Sequence, residues 1–150
     1  VAASLPPGPP RIPRWLSPLT LAYGVILFLW LTPEDSIWLA SALGAIGALI
    51  GGLHVLYRRP RWVQPLLRGL DDPRPRAALI RAVLFGAGVG LSAAPMTALI
   101  MLVKTSLHSH LFPDYPLGVV LGVLSRAPAW AAAGALIGFA CALWRPPPPP

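Results

Sequence analysis

Of the chain's 150 residues, 55% are hydrophobic and only 11% charged, against the roughly 25% charged that is usual in soluble domains, and the mean hydropathy is +0.65. That composition excludes an ordinary water-soluble domain and, at this length, points to one membrane domain whose apolar faces are accepted by lipid. The formal charge of +7 does not point to nucleic acid, because the arginines fall between hydrophobic runs and line no polar face; anionic lipid headgroups are the fitting partner.

Residues 1–14 carry Pro6, Pro7, Pro9, Pro10 and Pro13 with Arg11 and Arg14, a pattern for an extended polar leader. The first hydrophobic run, Trp15 to Thr32, ends on Pro33-Glu34-Asp35 and not on a small-residue cleavage site, so it reads as a retained span. Pro18 falls in its first turn, and Trp15 and Trp30 stand near its two ends, where indoles favour the membrane interface. A second span, Ile37 to Tyr57, is long enough to cross a roughly 30 Å hydrocarbon layer. Small residues recur along it at Ala40, Gly44, Ala48 and Gly52, with Gly47 and Gly51 beside them, a stripe that lets another helix approach closely.

From Arg58 to Ala77 the sequence reads as a loop. Arg58, Arg59, Arg61, Arg68, Arg74 and Arg76 are interleaved with Trp62, Val63, Leu66, Leu67 and Leu70. This predicts a short interfacial segment, apolar side in the headgroup boundary and arginines on lipid headgroups. A third span follows, Leu79 to Val103, with Arg81 near enough to its start to reach the headgroups along its stem. Its own small stripe is Ala82, Gly86, Gly90, Ala94 and Ala98. Pro95 should kink this helix and free the carbonyl of Leu91, with Ser92 or Thr97 offering partial compensation.

After a connector from Lys104 to Pro116, the run Leu117 to Trp144 contains Arg126 and Pro128. It exceeds what one crossing needs, and an arginine at mid-bilayer costs about 2.5–3.5 kcal/mol on insertion scales. The run is therefore divided, with a short helix from Pro116 to Leu124 lying at the outer surface and a fourth span from Pro128 to Trp144, marked by Gly134, Gly138 and Ala142. Arg145 and five prolines, residues 145–150, form an extended tail. The expected fold is all-α, a polytopic domain over 15–144 with four transmembrane helices at about 15–32, 37–57, 79–103 and 128–144, and a short outer interfacial helix before the last. Arg11, Arg14, the six loop arginines, Arg81 and Arg145 fall on one side, and only Lys104 and Arg126 on the other. The positive-inside rule then puts both termini in the cytoplasm, across a membrane of the cell-inner type.

Few residues carry chemistry. His54, near the end of the second span, has an imidazole suited to a tetrapyrrole or quinone, with Gly51 and Gly52 as room for a flat ring. His108, His110 and Asp114 are ligand types for zinc or copper, although histidines two apart need an extended segment to share a metal. The single cysteine, Cys141, can form no intrachain disulfide. No Gly-rich phosphate loop, H-E-x-x-H or G-x-S-x-G occurs, so an enzyme is not expected, and no carboxylate falls inside a span, where a carrier would need one.

The expectation is a non-catalytic membrane subunit that packs through Gly44, Gly47, Gly51, Gly86, Gly90, Gly134 and Gly138, with itself or within a larger complex of the respiratory or photosynthetic kind. Its other partners are membrane lipids, anionic at the cytoplasmic face, and not nucleic acid. One alternative is a small oligomeric transporter or channel, hinged at Pro95 with Tyr23, Ser92 and Thr97 along its path. Another is a haem, pigment or metal binder through His54 or the His108/His110 pair.

Overall fold

The computed structural model describes residues 12–31, 36–60, 63–68, 70, 75–107 and 114–144. All regular structure among them is helical: α1 (Leu16–Trp30), α2 (Ile37–Arg58), α3 (Gln64–Arg68), α4 (Pro75–Leu107), α5 (Leu117–Leu124) and α6 (Ala127–Leu143). Three stretches are long and apolar enough to cross a membrane: Ile37–Arg58, Arg76–Leu107 and Leu117–Leu143, the last combining α5 and α6. Helix α1 has 15 residues, about 22 Å of rise, and is the shorter apolar helix of the set.

Local chemistry sets the ends. Ser36 caps α2 by accepting the Leu39 N–H at 3.3 Å, filling one of the donors a helix start leaves open. At the other end Arg59 adopts the left-handed conformation, φ 44°, and returns its N–H to Val55, a role glycine usually takes. Helix α4 is longer than the sequence suggests, beginning at Pro75, where a missing donor does no harm, and running unbroken through Pro95 to Leu107. The expected compensation at Pro95 does not occur: Ser92 donates to Val89 at 2.7 Å and Thr97 to Ala93 at 2.9 Å, so neither hydroxyl serves Leu91.

Helix α4 is the spine, with its most extensive packing on α6 and then α2. Against α6 the backbones touch. A Cβ on Gly86 would collide with the main chain of Gly134 and come within 3.1 Å of Gly138 Cα, and one on Gly90 would collide with the main chain of Trp130 and Gly134. Gly138 lies in turn against Ala82. Numbers fall on one helix as they rise on the other, so α4 and α6 are antiparallel. Helix α2 also runs antiparallel to α4, Gly44 meeting Thr97 and Gly52 meeting the Val89 methyls.

Helix α1 is held by side chains, three of them aromatic. Trp15 stands edge-on to Tyr57 with centroids 6.1 Å apart. Tyr23 abuts Gly47 and donates its hydroxyl to the Leu43 carbonyl at 3.0 Å, and Trp30 is buried in the main core with Ala40, Leu43, Ala98 and Met101.

Two expectations change. In α3 the apolar side turns into the protein, where Val63, Leu67 and Leu70 form a second small core with Val55, Leu56, Ala82 and Phe85. Leu67 is 1% exposed, because the ends of α2 and α4 offer a packed surface within reach of so short a loop. Helix α5 does not stand apart from the bundle. Val120 and Val123 join the core that holds Trp30, Ala40 and Leu43 with Ile100 and Met101, so α5 continues the antiparallel path of α6 along the last third of α4.

Candidate functional site

Two cations stand out once the register of the helices is known. The first is Lys104, assigned by the sequence reading to a connector but lying within α4 and only 1% exposed. Its Nζ sits over the Trp30 ring, 4.4 Å from the centroid, within the range where a desolvated ammonium is attracted by the negative face of an indole. Beside it, Thr105 Oγ1 accepts the Tyr115 N–H at 3.3 Å. Asp114 Oδ2, Tyr115 Oη and Trp30 Nε1 are all sealed from solvent. One corner thus joins the end of α1, the end of α4 and the segment 114–116 entering α5, level with the first turn of α2 when the Gly44–Thr97 and Gly52–Val89 pairings are extended.

The second is Arg126, between α5 and α6. Its own N–H bonds the Val123 carbonyl at 3.1 Å and its carbonyl accepts both Ala129 and Trp130 N–H groups. Pro128 cannot donate to Leu124, so the regular α-helical bonding is interrupted at Ser125-Arg126, both still in helical conformation. Ser125 Oγ donates to the Gly122 carbonyl at 2.9 Å. Extending the Gly86–Gly134 and Gly90–Trp130 pairings puts Arg126 beside Pro95 and Met96 of α4, and through the α2 pairing within about one turn of the middle of α2. Its side chain is exposed.

The other arginines among the described residues gather at one end. Arg14 precedes Trp15, which touches Tyr57; Arg58 and Arg59 end α2; Arg76 and Arg81 lie in the first turns of α4. Arg14, Arg58 and Arg76 are exposed, and Arg59 is half-buried, its carbonyl taking an N–H of the Gln64 side chain at 3.3 Å. Arg68 closes α3, while Arg61 and Arg74 lie outside the described residues. Trp144, 89% exposed at the end of α6, stands at this same end.

His54 is half-buried and directs its Nδ1–H to the Ile50 carbonyl of its own helix at 3.0 Å. Of the two glycines beside it, Gly52 is filled by Val89 and offers no slot for a ring, whereas among the described residues nothing lies within 4 Å of the Gly51 Cβ position. His108 and His110 lie outside the described residues. Asp114 belongs to the Lys104 corner, and among the described residues no three metal-ligating side chains converge. Gly44, Gly47, Gly86, Gly90, Gly134 and Gly138 all meet other helices of this same chain.

Lys104 reads as a loop residue because it adjoins the polar connector to Pro116, and Arg126 as a break between two helices because of the cost of an arginine within the bilayer. A partial signal did exist: Gly86/Gly90 and Gly134/Gly138 recur at the same four-residue step, although only the fold pairs them and so carries Arg126 to mid-height. Compared with protein-family models, curated proteins and solved structures, the chain gives no significant match.

Proposed function

We propose that the chain is a non-catalytic integral membrane subunit of four crossings, α1, α2, α4 and the joint path of α5 and α6, with both termini and the arginine-rich end in the cytoplasm. In this reading α5 enters the bilayer as the first part of the fourth crossing and does not lie on the outer surface. Its own Gly/Ala faces build the monomer, and its outer faces meet other membrane subunits and lipid, anionic at the arginine end. One observation carries the reading. Five polar side chains along the helices bond main-chain carbonyls, Thr20 to Leu16, Tyr23 to Leu43, His54 to Ile50, Ser92 to Val89 and Thr97 to Ala93, which favours scaffold over reaction or polar conduit. Meanwhile α6 buries none of its residues, and its outer side, with Leu136, Ile137 and Leu143 exposed, is open to a neighbour.

Isolation from native membranes in a mild detergent tests this. The expected product contains the chain in fixed ratio with at least one other membrane protein, and a lone monomer that crosslinks to nothing refutes the proposal. Reporter fusions at the two ends test the topology, which fails if they report opposite compartments.

A small oligomeric carrier is the second reading, favoured by the two cations held within helical paths, Lys104 and Arg126, since ionisable groups at such depth commonly mark ion or substrate routes. Solute flux in proteoliposomes of the purified chain separates the two.

A further inference from the structure

We propose that Arg126 is the contact point for a transmembrane helix of a different subunit, one that carries a carboxylate at mid-bilayer. The inference deepens the membrane-subunit reading and rests on it. The glycine pairings of α4 with α6 and of α2 with α4 bring Arg126 to the middle height of the bundle, the level at which a guanidinium has the longest way to water or headgroups. Its side chain is exposed. Among the described residues no ion pair involves it, and the nearest charged group along the same helical path, Asp114, belongs to the Lys104 corner beyond the far end of α5.

The surroundings of Arg126 suit a helix and not a bulky lipid-filling surface. Gly118 and Gly122 have open space beyond Cα, and Ala129 and Ala133 are exposed on the other side of the interruption. Small residues at these steps allow a neighbouring backbone to come close enough for a short side chain such as Asp to reach the guanidinium.

A second copy of this chain does not supply the charge. Its acidic residues are Glu34, Asp35, Asp71, Asp72 and Asp114, and none lies within α1 to α6. A protein counter-charge at mid-height would therefore come from a chain of different sequence, and the planar fork of arginine favours a carboxylate over a neutral amide.

The test uses the full chain in phosphatidylcholine vesicles, fluorescently labelled, with membrane-spanning Leu/Ala peptides as probes. One peptide bears a single Asp at its centre, a second bears Leu there, a third Lys, and a fourth carries the Asp near one end. Energy transfer should report association of the central-Asp peptide about tenfold tighter than the Leu peptide, with the Lys and end-Asp peptides no better than Leu. Arg126→Leu should remove the preference and Arg126→Lys keep part of it, circular dichroism confirming the helix content of both. Equal affinity of the four peptides for the unaltered chain overturns the proposal without recourse to any variant. So does a preference that survives Arg126→Leu, a preference abolished by adding phosphatidylglycerol, which assigns the arginine to lipid phosphate, or Arg126-dependent self-association in the absence of peptide. If peptides show no preference while a fixed-ratio complex is still recovered from native membranes, the carboxylate pairing fails alone. Recovery of a lone monomer removes the subunit reading and this pairing together.

Discussion

Gly134→Ala is the substitution whose effect follows most directly from the packing of α4 on α6. A methyl there would overlap the Gly86 main chain, with the Gly86 carbonyl carbon and Gly90 Cα each at 3.0 Å. Ordinary contact between carbon atoms is about 3.5–4.0 Å, so the two helices must separate by roughly 1 Å. At that gap between a quarter and a half of each local dispersion contact is forfeited, over a crossing that extends from Ala82 to Gly90 on one side and Trp130 to Gly138 on the other. Overpacking of this kind costs about 1–3 kcal/mol. The helix cannot relieve it by a rotamer change, because the opposing atoms are backbone. Gly88→Ala is the matched control: nothing lies within 4 Å of its Cβ position, so it should be neutral or stabilising by up to about 1 kcal/mol of helix propensity. Reversible unfolding in mixed detergent micelles measures both. A second signature is non-additivity. Once Gly134→Ala has parted the helices, Gly86→Ala at the same crossing should add less than its own single cost. Equal stabilities of the Gly134 and Gly88 variants, or strict additivity at positions 86 and 134, would refute the close-approach argument.

The other predictions address the remaining contacts. Trp30→Leu should destabilise by about 2 kcal/mol or more, because it removes a buried indole and leaves the Lys104 ammonium without the ring face beneath it; a change under about 0.5 kcal/mol would deny the corner its role. Trp15→Leu, at a half-exposed edge contact with Tyr57, should cost only about 0.5–1.5 kcal/mol in the same assay. Leu67→Ala should cost about 2–5 kcal/mol if α3 is anchored on α2 and α4, and limited proteolysis should then cut between α2 and α4 faster; unchanged cleavage would place α3 off the protein surface. Gly44→Ala must push aside Thr97, whose hydroxyl is bonded to Ala93, and should destabilise by about 1–3 kcal/mol, with no effect expected from Gly51→Ala at its open position.

Much of the bundle could be read from the sequence, and the limits have physical causes. Helix α2 starts at Ile37, where the second apolar run begins, and the glycine stripes identify faces of close approach. What hydropathy lacks is the partner of each stripe. Gly86, Gly90, Gly134 and Gly138 read equally well as a surface for another subunit, and only the fold shows them facing one another. The ends of α4 escaped for a related reason. Lys104 is counted as a loop residue by any per-residue transfer scale, because the scale prices a lysine in lipid and not one seated on an indole. Likewise Val63, Leu67 and Leu70 look like a lipid-facing edge until the ends of α2 and α4 provide an alternative surface.

Arg126 shows how the two kinds of information combine. The insertion cost of about 2.5–3.5 kcal/mol for an isolated helix argues for dividing the last apolar run and keeping the arginine out of the bilayer. The glycine contacts oppose that division, since sliding α6 until Arg126 reached an interface would break the Gly86–Gly134 and Gly90–Trp130 pairings together and expose the α5 valines that pack with Trp30. Each of those losses costs about 1–3 kcal/mol, and together they match or exceed the cost of one arginine. Packing therefore decides the register. On the proposed reading the charge at mid-height is met by a neighbouring helix, and removing it by Arg126→Leu should leave the monomer as stable as before or more so while weakening that contact.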